Sequence, residues 1–180
     1  MHGIIFSELQ KYVETKHSPE VWKTLLKESD IGNRLYVPFQ TYPDQEAVAL
    51  VTTASKLTGQ PAGAILEDFG EFIAPDLMNL DRSLVDPGWK TLDFLERTEE
   101  TIHRVVRLKN AGAEPPELKV SRTAPNEVLI TYASARRMCG VAKGIARGVA
   151  RHYNETVTIT ESACMLRGHP KCLISVRTTA

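Results

Sequence analysis

The chain has 180 residues, of which 42% are hydrophobic and 24% are charged, a composition typical of a soluble globular protein. This length suffices for one domain with a substantial core. Lysine plus arginine and aspartate plus glutamate each total 22, so no global field draws the chain to nucleic acid or to an anionic membrane. We therefore expect neither nucleic acid nor a membrane among its partners.

Apolar runs and cysteines indicate the compartment. No apolar run approaches the roughly 20 residues of a membrane-spanning helix, and the first residues, MHGIIFSELQKYVETKH, turn polar too early for a secretion signal. Three cysteines cannot make a closed disulfide framework, and their late placement indicates thiols or metal ligands. We expect a reduced, cytoplasmic setting.

The first half of the chain is predicted to be mainly helical. Apolar residues recur at helical spacing over residues 4–13 and 44–58. Ser18 followed by Pro19 is a helix start signal. A further helix is predicted from Pro61 to Phe72 or beyond.

The second half combines helices and strands. A long helix is predicted over residues 92–109, ended by the paired prolines of residues 110–118. The elements predicted after it are strands at 118–122 and 128–132, a helix at 136–152, and strands at 157–161 and 172–177. This pattern predicts an α+β fold.

A histidine and a row of three polar residues carry the strongest chemical signal. His103 lies beside the apolar stripe of the long helix, and Tyr132, Ser134 and Arg136 come after it at two-residue spacing. On an extended strand such a row projects from one face and offers two hydroxyls and a guanidinium to carboxylates or phosphates. An imidazole for iron and donors for two propionates would suit a heme. Each feature alone has a plainer interpretation, a boundary histidine or a solvated strand end.

The order of several motifs makes the interpretation specific. MHGIIF at the start, His103 within ETIHRVVRL, the proline pair of AEPPEL and the YASAR segment resemble the H-NOX family, the heme–nitric oxide/oxygen binding domains. That family includes bacterial gas sensors and the heme domain of soluble guanylate cyclase. The resemblance covers the chain from Met1 to the final strand.

The resemblance implies a fold and a heme site. It implies a single domain over residues 1–180, made of a helical distal lobe (1–62) and a proximal α+β lobe (63–180). The proximal lobe would carry a four-stranded antiparallel sheet and long helices. Heme b would lie between the two lobes. His103 resembles the proximal iron ligand, and Tyr132, Ser134 and Arg136 resemble the propionate clamp. Pro116 matches a proline that distorts the porphyrin, and Ile5 matches an apolar residue that touches the heme.

The helix after the clamp bears on ligand choice. Gly140, Gly144 and Gly148 share one face, which predicts close approach to another surface. Val141 and Ile145 form an apolar row, and by the resemblance Val141 stands where O2-binding members carry a hydrogen-bonding tyrosine. Bound O2 gains from a donor, whereas NO depends far less on one. The aliphatic row therefore predicts a pocket that binds NO, with CO as a second candidate, and excludes O2.

The cysteines form a third group, because Cys139, Cys164 and Cys172 lie near one end of the C-terminal lobe. Some stand-alone bacterial members of the family carry zinc at matching cysteines, with a histidine three residues before the middle one. This chain has Glu161 there, which can bind zinc through oxygen. His169 is the alternative fourth ligand. Without zinc, exposed thiols at these positions could act as a redox sensor.

We therefore interpret the sequence as a gas sensor and not an enzyme. By the resemblance, NO weakens or breaks the His103–iron bond, and the resulting change regulates a separate signalling protein, commonly a histidine kinase or a cyclic-di-GMP enzyme. A zinc and thiol redox module is the first alternative. A heme peroxidase is the second, but it would need a distal acid–base pair that the aliphatic row does not supply.

Overall fold

A computed structural model describes residues 1–80, 82–109 and 112–179 of the chain. The helices, in chain order, are α1 (Gly3–Lys16), α2 (Pro19–Glu28), α3 (Asp44–Thr58), α4 (Ala62–Leu80), α5 (Thr91–Thr98), α6 (Arg104–Lys109) and α7 (Cys139–His152). The strands are β1 (Glu117–Ala124), β2 (Glu127–Ala133), β3 (Thr156–Ala163) and β4 (Cys172–Thr179). The predicted α+β fold is confirmed. Asn110 and Ala111, in the predicted helix break, lie outside the described residues.

The four strands form one antiparallel sheet in the order β1-β2-β4-β3. Alternate residues of β2 are buried, because one face of the sheet packs against helices. Val128 and Ile130 lie opposite Val176 and Ile174 of β4 on this face. With residues of α5 and α7 they form the core of the C-terminal half.

A second core lies among the N-terminal helices. It gathers Phe6 and Leu9 of α1 with Leu50 of α3 and Phe69 and Ile73 of α4. Ser18 caps α2 by accepting a hydrogen bond from the Val21 amide, as its place before Pro19 predicts. No helix within the described ranges is both long and apolar enough to cross a lipid bilayer.

Helices α4 and α7 pack backbone to backbone. A Cβ on Gly144 would overlap the Glu67 carbonyl oxygen, and one on Gly148 would overlap the Ala74 side chain. The close approach predicted from the glycine row is therefore confirmed. Two basic residues of α7 form ion pairs with α4: Nζ of Lys143 lies 2.7 Å from the Glu67 carboxylate, whose other oxygen lies 2.7 Å from Nη1 of Arg147. This interface joins the two cores.

Alanine substitutions test this packing. Gly144→Ala forces the two helix backbones apart, so we expect a loss of about 1–3 kcal/mol in the free energy of unfolding, typical of overpacking. Gly63→Ala on α4 is the matched control, because a Cβ there meets open space. It should be neutral or stabilise by less than about 1 kcal/mol. Urea unfolding measures both, and equal stability of the two variants would contradict the packing.

The long helix predicted over residues 92–109 is interrupted. Between α5 and α6 the segment Glu99–His103 forms a π-helical turn, which ends at the candidate ligand. Such turns are rare and recur at functional sites. The apolar pattern continues through the turn, so periodicity alone did not reveal it.

Candidate functional site

His103 closes the π-helical turn with its side chain only 15% exposed. Its Nδ1 lies 2.9 Å from Oε2 of Glu99, four residues earlier in the chain. An ionised carboxylate only accepts hydrogen bonds, so Nδ1–H of the neutral imidazole donates to Glu99. Nε2 is then the nitrogen whose lone pair would bind a metal.

The charge states of this pair suit ligation. Burial lowers the pKa of His103, although the Glu99 carboxylate and the Pro116 backbone oppose that shift. Burial would raise the pKa of Glu99, but hydrogen bonds from Arg107 and His103 outweigh it and lower that pKa. At neutral pH the pair is therefore a neutral imidazole beside a carboxylate, and neutral imidazole is the form that binds metals.

The polar row does not continue as one strand. Strand β2 ends at Ala133, and the Ser134 hydroxyl accepts a hydrogen bond from the Arg136 amide at 3.3 Å. Arg137 comes next with a left-handed φ of 53°, and α7 begins at Cys139. The three residues therefore do not share one strand face, so that prediction is wrong. The helix predicted from about residue 136 begins at Cys139, because this serine turn intervenes.

The turn still keeps the three side chains close together. Tyr132 is 3% exposed, and burial raises the pKa of its hydroxyl, although a hydrogen bond with Ser134 lowers it. The Arg136 guanidinium, which is 12% exposed, also acts on the Tyr132 hydroxyl through its charge. Two hydroxyls and a guanidinium thus gather where β2 leads into α7.

Arg136 also connects separate parts of the chain. Its Nη1 lies 3.1 Å from a carboxylate oxygen of Asp44, the first residue of α3, and its Nη2 donates to the Glu114 carbonyl. The N-terminal ammonium of Met1 lies 2.7 Å from the same carboxylate. Burial would raise the pKa of Asp44, but these two cations lower it. Asp44 is a partner that the sequence pattern did not identify.

The aliphatic residues predicted to contact the heme or its gaseous ligand pack against the N-terminal core. Ile5, Val141 and Ile145 are partly buried and pack against that cluster. Ile145 packs against the core of the C-terminal half as well, so it lies between the two hydrophobic cores.

Three tyrosine hydroxyls in the N-terminal half form hydrogen bonds with other residues of the protein. Tyr12 donates to the Asp68 carboxylate at 2.6 Å, and Tyr36 donates to the Glu46 carboxylate at 2.7 Å. The Tyr42 hydroxyl accepts from the Val37 amide at 2.7 Å. These bonds fix the hydroxyls on protein partners rather than on a ligand.

The three cysteines come together as a buried group with Glu161. Sγ of Cys164 lies 3.8 Å from that of Cys139 and 4.0 Å from that of Cys172. One oxygen of Glu161 completes a set of four atoms within 4.8 Å of one another. Tetrahedral zinc with Zn–S bonds of about 2.3 Å separates its sulfur ligands by about 3.8 Å. The spacing suits that ion.

Details of this group favour Glu161 over His169. Oε1 of Glu161 is buried and has no hydrogen-bond partner among the described residues. His169 is exposed, and its Nδ1 lies 3.3 Å from the Cys164 carbonyl. The donor set of three thiols and a carboxylate is chemically competent for zinc.

The alternative function, a redox sensor without zinc, required exposed cysteine thiols, and that expectation is wrong. All three are buried, at 4% exposure or less. Burial raises the pKa of Cys139 and of Cys172, which disfavours the reactive thiolate.

Comparisons with known proteins identify the family. The family model described as Haem-NO-binding matches residues 2–161. Two Drosophila melanogaster proteins, soluble guanylate cyclases 89Da and 89Db, are 23% and 22% identical over 158 and 138 residues. These matches cover 85% and 76% of this chain but only 23% and 20% of the relatives, so the chain spans less than a quarter of their length.

Solved structures share the fold over the whole chain. An H-NOX protein from S. oneidensis in the Fe(II)NO state matches with a TM-score of 0.93 at 24% identity, covering 100% of both chains. An unliganded Fe(II) H-NOX protein from K. algicida matches with a TM-score of 0.89 at 23% identity, covering 100% of this chain and 97% of that one.

The chain belongs to the Haem-NO-binding family, whose members are the H-NOX domains. It is a heme-binding gas-sensor domain and not an enzyme. H-NOX domains bind gaseous ligands and regulate partner proteins such as cyclases.

Proposed function

We propose that this domain is a nitric oxide sensor in which His103 ligates heme b through Nε2. The observation that carries the proposal is the largely buried imidazole whose Nδ1 donates to Glu99, because this hydrogen bond leaves Nε2 as the metal-binding nitrogen. Bound heme would supply the iron at which a diatomic gas is taken up. The chain's own residues would then determine which gas is accepted and which structural change results.

The clamp residues fit the propionates of heme b. Tyr132, Ser134 and Arg136 offer hydroxyl and guanidinium donors, which suit carboxylates. Arg136 already holds the Asp44 carboxylate, an indication that anions are favoured at this point. The Pro116 backbone acts on the pKa of His103, so the proposed porphyrin-distorting proline lies near the proposed ligand.

We assign gas selectivity to the aliphatic group of Ile5, Val141 and Ile145. These side chains donate no hydrogen bond, so they would disfavour O2 while leaving NO, and CO as a second ligand, unaffected. The same side chains lack the acid–base pair that a peroxidase needs, which argues against that alternative.

We propose that the structural change that transmits the signal begins at His103. Release of this side chain from iron would free the π-helical turn, and the distal (1–62) and proximal (63–180) lobes would shift. Ile145 packs against both cores, so a shift between them would change its contacts. A separate signalling protein, a histidine kinase or a cyclic-di-GMP enzyme, would detect the shift.

Heme content tests the first step of this proposal. Protein expressed with ample heme should carry about one heme b per chain, seen as a Soret band in its absorption spectrum. A purified protein that shows no Soret band, and acquires none on titration with heme, would overturn the proposal.

We also propose that Cys139, Cys164, Cys172 and Glu161 bind Zn2+. The sulfur spacing and the unpartnered, buried Glu161 oxygen support this second site. Here zinc would join the start of α7 to β3, to the residue that follows β3 and to the start of β4, and would therefore stabilise the fold.

Metal analysis tests the zinc proposal. The parent and His169→Ala should each hold about one zinc per chain, whereas Cys164→Ala and Glu161→Ala should hold much less. His169→Ala is the matched control, because this ring lies in the same loop but outside the four-residue group. If Glu161→Ala kept its zinc and His169→Ala lost it, the fourth ligand would be His169 and not Glu161. A parent protein without zinc would refute the site.

A further inference from the structure

Glu99 forms a hydrogen-bond network around the proposed iron ligand. Its Oε2 accepts from Nδ1 of His103 at 2.9 Å and from the Leu118 amide at 3.3 Å. Its Oε1 accepts from Nη2 of Arg107 at 2.5 Å. The carboxylate is 27% exposed, so it is partly shielded from water. Its position is therefore fixed from three sides.

The backbone explains why Glu99 reaches the imidazole. Glu99 and His103 are the first and last residues of the π-helical turn, which brings their side chains to the same side. Leu118 lies in β1, immediately after the segment that contains Pro116. The carboxylate thus connects the ligand's helix to the edge of the sheet.

A carboxylate differs chemically from the neutral acceptors that often hold Nδ1 of a ligating histidine. A charge-assisted hydrogen bond is roughly twice as strong as a neutral one. By drawing the Nδ1 proton, it makes the imidazole a more basic ligand at Nε2. Arg107 acts in the opposite direction, because its positive charge withdraws electron density from the same carboxylate.

We propose that Glu99 is a positioning residue that strengthens the His103–iron bond, and that Arg107 moderates this effect. The inference rests on the proposed ligation by His103. Glu99 therefore sets how readily NO detaches the histidine, and hence how readily the sensor responds. Arg107, with 42% of its side chain exposed, is an accessible point at which that response is adjusted.

The experiment is resonance Raman spectroscopy of the reduced, ligand-free protein, read at the iron–histidine stretching band. Glu99→Gln should shift the band to lower frequency, and Arg107→Gln should shift it to higher frequency. The shift caused by Arg107→Gln should be smaller in the Glu99→Gln background than in the parent, because the guanidinium hydrogen-bonds the carboxylate. Glu100→Gln is the matched control, since this neighbouring glutamate is exposed, and its band should stay at the parent position.

Opposite shifts from two variants separate an electronic effect from a folding defect. A band in Glu99→Gln at the parent frequency would overturn the inference, as would shifts of the same sign in both single variants. Failure of the underlying proposal looks different: the parent protein itself would then bind no heme or show no iron–histidine band. Arg107→Gln, at an exposed position, keeps the test valid if Glu99→Gln folds poorly.

Discussion

Replacing His103 with glycine should abolish the protein's structural response to NO. In the parent, we expect NO to release His103 and to raise amide hydrogen exchange in residues 104–109 and 117–124, which flank the π-helical turn and the Glu99 contact. His103→Gly has no such bond to break, so exchange should be the same with and without NO. Added imidazole should restore the iron ligand in the absorption spectrum but not the exchange response, because free imidazole is not attached to the helix.

His17→Gly is the control for this experiment. His17 is exposed at the end of α1, and its loss should leave the parent response intact. An NO-dependent change in exchange that persisted at full size in His103→Gly would refute the role of His103. A response lost equally in both variants would indicate general destabilisation instead.

Replacing Val141 with tyrosine should create O2 binding. A phenol at this position would place a donor within the aliphatic group of Ile5 and Ile145. A hydrogen bond to a charged acceptor contributes about 1.5–3 kcal/mol, which corresponds to a gain in O2 affinity on the order of 10- to 100-fold. The absorption spectrum of the reduced variant in air should therefore be that of a stable oxy complex.

Val141→Phe is the matched control, because it adds the ring without the hydroxyl. Its spectrum in air should show no stable oxy complex. Equal O2 binding by the phenylalanine and tyrosine variants would show that pocket shape, and not a missing donor, excludes O2. If the Val141→Tyr variant bound no O2, the selectivity would have to be set by other residues of the pocket.

Much of the fold was predictable from local sequence rules. Helix α3 spans the predicted residues 44–58, and α2 begins at Pro19 after its serine cap. The glycine row of α7 predicted a close contact because glycines destabilise a helix, and a row of them on one face allows another backbone to approach. Helical spacing, caps and strand alternation act over a few residues, so the sequence records them directly.

Features that depend on distant parts of the chain were not predictable in the same way. The π-helical turn leaves the apolar pattern unchanged, and the serine turn at Ser134 ends a strand that alternation would continue. Asp44 meets Arg136 across 92 residues of sequence, a contact set by tertiary packing alone. Glu99 did have a local signal, since it precedes His103 by four residues on a predicted helix.

The absorption spectrum of the reduced protein in argon, in air and in NO is the most direct test of NO sensing through His103. We predict a Soret band in argon, no stable oxy complex in air, and under NO a shift to the spectrum of a five-coordinate iron that has lost its histidine. A stable oxy complex in air would contradict the assigned gas selectivity. A spectrum in NO that retained the histidine ligand would contradict the signalling role of His103.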